Sequence, residues 1–426
     1  VSTNNFLRTI EHLAGKYGED LWDIRHELFF ILGKKNPLLR GIFSSIRDCI
    51  YLLVRRNNQK YTANSIYFGV SLSGHSGWGA LDGIYNRISK ECIAPIHVVS
   101  GRCGVNKVSG PILKKLNRVT ITQVIRSFFQ ACSLIRNSWC AEGVLVLFLY
   151  WRHLLWCYAW ENTIVGTRNV LFTHNDFDMA LYAGIKVFKS KGISINVQHG
   201  IPTDEFFPPR ADYQAVWGQR AMSIYTAESV DKERVLFWNP ILGQDKVKEH
   251  TIKEPMSISF ISQSHTSIYG VDMLKISKPI VEELRSACLQ RGIQFNVLLH
   301  PSEGQPKKNL YGEGCKLSLP PHKVLLDSDV TTLLVGFSST AFIDGHLSGQ
   351  YILGIQFEPT QSRQAYSLIK PATIVEGIDQ VIEVYHRLKE SARTRKLFMD
   401  DQKRWYQGIF ENDSNVISVV VEYFSR

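Results

Sequence analysis

The eight cysteines of this chain include no CxxC pair, and no two of its thirteen histidines stand at HxxxH spacing. The first absence removes a disulfide framework or a zinc knuckle, and the second removes the commonest helical metal site. The cysteines therefore read as reduced thiols in a cytosolic compartment. No signal peptide is visible at the N-terminus. The most apolar stretch, residues 142–160 (EGVLVLFLYWRHLLWCYAW), carries Arg152 and His153 at its middle. A charge there is costly in lipid, so a buried or interfacial segment is expected rather than a membrane span. No period of 20–50 residues recurs, which excludes a solenoid. Acid is missing too: residues 107–136 hold six basic residues and neither aspartate nor glutamate.

What is present is ordinary for a globular chain, with 44% hydrophobic and 21% charged residues. A length of 426 residues exceeds one ordinary core and predicts two domains. The net charge of +10 is unevenly placed. Residues 33–60 carry seven bases (Lys34, Lys35, Arg40, Arg47, Arg55, Arg56, Lys60) against Asp48 alone. Within them Leu39, Ile42, Phe43, Ile46, Ile50 and Leu53 recur at helical spacing. A basic amphipathic helix of this kind suits either an anionic membrane surface or a solvated helix packed on its domain. Aromatic residues do not interleave with these bases as in single-strand binding proteins, so nucleic acid is not expected as a partner.

Beyond the basic N-terminal region 1–62, β-branched or aromatic runs alternate with longer helical patterns, the mark of a parallel sheet covered by helices. Strands are predicted at 65–72, 95–99, 170–173, 194–198, 214–217 and 235–238. The polar, proline-bracketed stretch 241–256 reads as a linker between a first α/β domain, 63–240, and a second, 257–375. In the second, strands are predicted at 257–261, 295–299, 332–335 and 351–356, with a helix at 272–291. Residues 376–426 read as helical, a tail of the kind that packs back across a domain junction.

In open α/β sheets ligands bind beyond the carboxyl ends of the strands, and here those ends are polar. The first domain offers His75, His174-Asn175-Asp176, Gln198-His199-Gly200 and Asn239-Pro240, and the second offers Gln263-Ser264-His265, His300-Pro301 and Ser338-Ser339-Thr340. Any one of these histidines alone has a plain structural reading; their weight comes from convergence on strand ends. The stretch VGFSSTAFIDGHLSGQ, 335–350, reads as strand, turn and helix, with free amide N–H groups and three hydroxyls aimed at the turn. Serine capping is the structural alternative. Asp176-Phe177-Asp178 is a formal DxD, but acids at a helix start need no metal to explain them.

A His-Pro after an apolar strand (His300-Pro301), followed about 40 residues later by Ser338-Ser339-Thr340 at a strand-to-helix turn, resembles the bacterial sialyltransferases of the GT-B fold. The wider layout over residues 165–360 is similar to capsule and lipopolysaccharide transferases, including Kdo transferases and the CDP-glycerol or CDP-ribitol polymerases of teichoic acid synthesis. These polymerases carry a His-Gly-x-Pro element like His199-Gly200-Ile201-Pro202. Leu81-Asp82-Gly83 keeps one acid of the two that precede glycine in the sialyltransferase motif.

The resemblance implies two Rossmann-like domains facing a central cleft, with extra helices at both termini. It also implies a CMP-linked acidic sugar of the sialic acid or Kdo type as donor substrate, with no further cofactor and no metal. His300, Pro301, Ser338, Ser339, Thr340, Gln263, Ser264 and Asn239 become candidates for the nucleotide side. The acceptor, a bacterial surface glycan or lipid-linked glycan, would meet the first domain in the cytoplasm against the inner membrane. Glycosyl transfer needs a base, and the candidates are Asp82, His75, Asp176, Asp178 and His199. A carboxylate base would also oppose positive charge on the sugar; in a polyol-phosphate transfer His199 is the better base. An epimerase of similar fold and a non-catalytic glycan- or nucleotide-binding protein are the remaining alternatives.

Overall fold

The computed structural model describes residues 6–55, 60–70, 75–100, 112–135, 139–174, 178–198, 200–202, 206–228, 230–240, 252–263, 271–299, 311, 316–318, 330–360, 363–411 and 414–425. Two parallel α/β sheets organise them. In the first, β1 (Ile66–Val70), β2 (Ile96–Ser100), β3 (Leu113–Lys115), β4 (Asn169–Thr173), β5 (Gly192–Val197), β6 (Tyr213–Val216) and β7 (Val235–Phe237) lie in the order β3-β2-β1-β4-β5-β6-β7. In the second, β8 (Ser257–Ile261), β9 (Gln294–Leu298), β10 (Lys316–Ser318), β11 (Thr332–Gly336), β12 (Tyr351–Ile355) and β13 (Ile374–Val375) lie in the order β10-β9-β8-β11-β12-β13. Every neighbouring pair is parallel. Each sheet starts at an inner strand, grows to one edge and then reverses, which is the doubly wound Rossmann order. Two such units in tandem give the GT-B architecture.

The ten strands expected from sequence are present within two residues at each end. Three short edge strands, β3, β10 and β13, are additions to that expectation: two or three residues are too few to display an alternation. The inner strands β1, β4, β8, β11 and β12 are buried at every position, as strands covered on both faces must be.

The apolar stretch 142–160 is the buried helix Ala141–Glu161, and its neighbours account for its charge. Arg152 donates from Nε to Asp48 Oδ2 at 2.6 Å and from Nη1 to Glu27 Oε1 at 2.6 Å. Asp48 Oδ2 also accepts from Trp156 Nε1 at 3.1 Å. One guanidinium thus fastens the N-terminal helices Arg25–Leu32 and Pro37–Val54 to the helix Ala141–Glu161. Gly41 allows the close approach, since a Cβ there would sit 2.2 Å from Leu145 Cδ1. Among the described residues no helix is long and apolar enough to cross a membrane.

The C-terminal helices cross between the two units. Ile378–Glu390 packs in the second core, while Trp405 of Ala392–Gln407 and Ile409 and Phe410 just beyond it join a cluster holding Val216 of β6 and the following Trp217 from the first unit and Leu334 and Ile352 from the second sheet. The chain then binds the first sheet: Glu411 N donates to Trp217 O at 2.8 Å and Phe237 N to Asn415 Oδ1 at 2.7 Å. Gly218 leaves room, because a Cβ there would lie 2.7 Å from Ile409 O. The last helix, Val416–Ser425, shares a core with Trp78 and Leu81, and Arg168 Nε holds Tyr423 O at 3.0 Å.

The Arg152 cluster gives a direct test. Arg152→Met leaves the buried Asp48 without its 2.6 Å partner, with only the exposed Arg47 at 3.5 Å, and should cost about 3–5 kcal/mol in urea unfolding. Adding Asp48→Asn should recover most of that loss. A single variant as stable as the parent would show that the cluster does not hold the N-terminal helices.

Candidate functional site

Each sheet has one place where its connections turn to opposite sides, between β1 and β4 in the first and between β8 and β11 in the second. Crevices at such reversals are where α/β sheets take ligands. In the second unit, β8 runs into Ser262 and Gln263, and β11 into Phe337, Ser338, Ser339 and Thr340. These two ends are tied together, because the Gln263 side-chain amide donates to the Ser338 carbonyl. Two of the nucleotide-side candidates thereby meet across the reversal.

The three hydroxyls of 338–340 have different fates. Ser338 is fully buried and its Oγ points to Tyr366 O at 3.5 Å. Ser339, one residue before the N-cap position, accepts at Oγ from Ala341 N at 3.2 Å, so its hydroxyl is engaged by the turn's own backbone. Thr340 is half-buried and makes no side-chain cap. The following helix, Ala341–Leu347, is one short element of seven residues. His300, Pro301 and Ser264 lie outside the described residues.

In the first unit, Asp178 takes the structural role open to an acid at a helix start. Its Oδ1 accepts from Ala180 N at 2.8 Å and Leu181 N at 3.3 Å, capping the helix Met179–Lys191. Asp82 lies in the helix His75–Glu91; beside it Gly83 lies against Trp238, with a Cβ position 3.0 Å from the ring. His75 begins that helix. Asn239 is buried and donates from Nδ2 to Glu411 O at 3.2 Å, which ties the β7 end to the returning C-terminal chain. Asp176 and His199 lie outside the described residues. Gln198 Oε1 accepts from Trp217 N at 3.0 Å, and its Nε2 donates to Gly200 O at 2.9 Å.

Two features go beyond the residues singled out from sequence. Thr173 Oγ1 donates to Asn196 Oδ1 at 3.0 Å, and Asn196 Nδ2 to Gln214 Oε1 at 3.2 Å, a buried polar ladder across β4, β5 and β6. Its signal is a polar residue, Thr173, Asn196 and Gln214, set among the apolar residues of each of the three strands. The second is Asp344, in the helix after the hydroxyl turn, whose carboxyl burial pushes up to about 6. Among the described residues no three His, Cys, Asp or Glu side chains gather as a metal site. A cavity of about 370 Å³ lies beside Asp20, Asp23, Lys186 and Arg210. There Lys186 is bonded to Asp20 at 3.1 Å and Asp23 at 2.5 Å, and Glu19, Lys189 and Arg210 complete the charged lining.

No protein-family model matches the sequence, and no curated protein matches it. The fold does find solved structures. They include Os79 from O. sativa, in complex with UDP and deoxynivalenol-3-glucoside, at 11% identity and a TM-score of 0.47, covering 84% of this chain and 100% of that one. A glycosyltransferase from Rickettsia africae aligns at 10% identity and a TM-score of 0.46, over 86% of this chain and 100% of that one. The wall teichoic acid polymerase TagF aligns at 12% identity and a TM-score of 0.44, over 92% and 98%.

Asp344 supplies a pH signature. Its folded value of about 6 lies above the ordinary 3.8, so its contribution favours the fold at low pH and is lost as pH rises through about 6. Asp344→Asn should therefore stabilise the protein by about 1–2 kcal/mol at pH 7.5, and by almost nothing at pH 3.5. Equal effects at both pH values in urea unfolding would contradict a raised carboxyl.

Proposed function

We propose that this chain is a glycosyltransferase that takes a CMP-linked acidic sugar, of the sialic acid or Kdo type, to a bacterial surface glycan or lipid-linked glycan. The observation that carries the reading is the junction at the second reversal, where Gln263 at the end of β8 holds the Ser338 carbonyl at the end of β11. The nucleotide phosphate would lie beyond that junction, with the Thr340 hydroxyl and His300 as donors that stabilise charge on the departing phosphate. Ser338, buried behind the turn, and Ser339, engaged by Ala341 N, would fix the backbone rather than touch the ligand. The transfer needs no metal in this reading. Ser264 and Pro301 belong to the same strand-end loops by sequence.

The base would come from the first unit. Asp178 is engaged by two backbone N–H groups, which favours Asp82 or Asp176 among the carboxylates. A second reading, transfer of a polyol phosphate from a CDP donor, is favoured by the stretch His199-Gly200-Ile201-Pro202 after β5. It makes His199 the base, since no oxocarbenium centre then asks for an opposing carboxylate.

Thermal unfolding in the presence of CMP, CDP, UDP and GDP separates these readings, because a ligand of the native state raises its melting temperature. CMP should raise Tm by several degrees, and Thr340→Val should reduce that shift without lowering the Tm of the free protein. A larger response to CDP moves the assignment to the polyol reading; a response to UDP alone discards both. Turnover should persist in EDTA, and loss restored by magnesium would overturn the metal-free mechanism.

A further inference from the structure

The two helices on the outer side of Ala141–Glu161 are turned the wrong way round for a water-soluble surface. Pro37–Val54 buries Gly41, Ser45, Asp48, Cys49 and Leu52, a mostly small and polar face. Ser45 Oγ donates to Gly41 O and Phe148 O, both at 2.8 Å, which keeps that face inward. The apolar stripe is left outside, with Phe43 at 78% and Val54 at 73% exposure and Leu39, Ile46 and Ile50 exposed along the same helix. Ile121–Leu134 repeats the inversion: Ser127 and Ala131 are buried, while Ile121 (70%), Ile125 and Phe129 (69%) face outward. Trp151 of the central helix fixes this orientation, its Nε1 bonded to Ser127 Oγ at 3.1 Å. Two separate helices thus expose apolar rows, whereas a soluble surface helix turns such a row to the core.

The exposed charges on and beside these rows are mainly cations, with Glu161, which Arg126 influences, as an exposed acid at the edge. Lys34, Lys35, Arg40, Arg47, Arg118 and Arg126 are exposed on or beside the two helices. Asp48, the one acid of either helix, is buried against Arg152 and Trp156, with Arg47 Nε 3.5 Å away, and presents nothing to solvent. Apolar rows flanked by an excess of cations match the acyl boundary and headgroups of an anionic bilayer. A second copy of the same surface would instead bring like charges together.

We propose that the helices Pro37–Val54 and Ile121–Leu134 form a docking surface that lies in the headgroup layer of an anionic lipid membrane, with the apolar rows inserted and the arginines on phosphates. This inference is independent of the nucleotide and sugar assigned above, because its readout is lipid binding alone. The test is sedimentation of the full chain with vesicles of phosphatidylglycerol and phosphatidylcholine, and with phosphatidylcholine alone, at low and high salt. Binding is expected to be at least about tenfold tighter to the anionic vesicles at low salt, and weaker at high salt. Phe43→Glu with Phe129→Glu should abolish it. Arg40→Glu with Arg118→Glu should lower it by about tenfold or more on the anionic vesicles alone. Circular dichroism and Tm, unchanged in these exposed-site variants, separate lost docking from lost folding. The proposal is overturned by no binding in either salt, by F43E/F129E binding like the parent, or by a concentration-dependent dimer that F43E disperses while vesicles go unbound.

Discussion

Every strand pair in the two sheets is parallel, and that single constraint decides where the chemistry can sit. Parallel strands send all their carboxyl ends to one edge of the sheet, so the polar residues that close each strand are collected there without being near in sequence. Within that edge the order β9-β8-β11 opens a crevice, and the Gln263 amide on the Ser338 carbonyl closes its base. In the first unit the same geometry brings Thr173, Asn196 and Gln214 into one buried chain of hydrogen bonds. Such a ladder fixes the relative height of three strands.

The N-terminal helices obey a different logic. They are held to the first unit by a charge cluster as much as by apolar packing, since Arg152 reaches both Glu27 and Asp48 from the middle of a very apolar helix. A buried ion cluster adds little net stability but penalises every alternative placement of its partners. That specificity has a purpose if the outer faces must stay apolar: a helix such as Pro37–Val54 would otherwise roll its stripe inward. Gly41 against Leu145, Ser45 on Phe148 O and Asp48 on Arg152 oppose that roll at successive turns.

How much of this is legible in the chain depends on the kind of pattern. Strands buried on both faces show as apolar runs in β1, β4, β11 and β12, and β8 shows serines alternating with apolar residues, so all five can be read, while β3, β10 and β13 are too short to carry any period. Periodicity locates the stripe Leu39, Phe43, Ile46 and Ile50 but does not say which way it faces; that depends on Leu145 and Arg152, about a hundred residues away. Arg152 and His153 argue against a membrane span from sequence alone, because an ionic side chain is costly in lipid and settles in an apolar helix when partners such as Asp48 and Glu27 reach it. The hydroxyls at 338–340 look equivalent in sequence, yet one is buried, one accepts from the Ala341 backbone and one remains half-open. Asp344 has no sequence signature at all, since its shifted carboxyl arises from burial created by the fold.

A cytidine nucleotide seated in the crevice between the ends of β8 and β11 is what the functional reading requires above all. A crystal structure with CMP bound tests it most directly. The phosphate is expected beside Thr340, with Gln263 still on the Ser338 carbonyl beneath it. A phosphate seated at the β1 and β4 ends, or anywhere remote from Gln263, would contradict it.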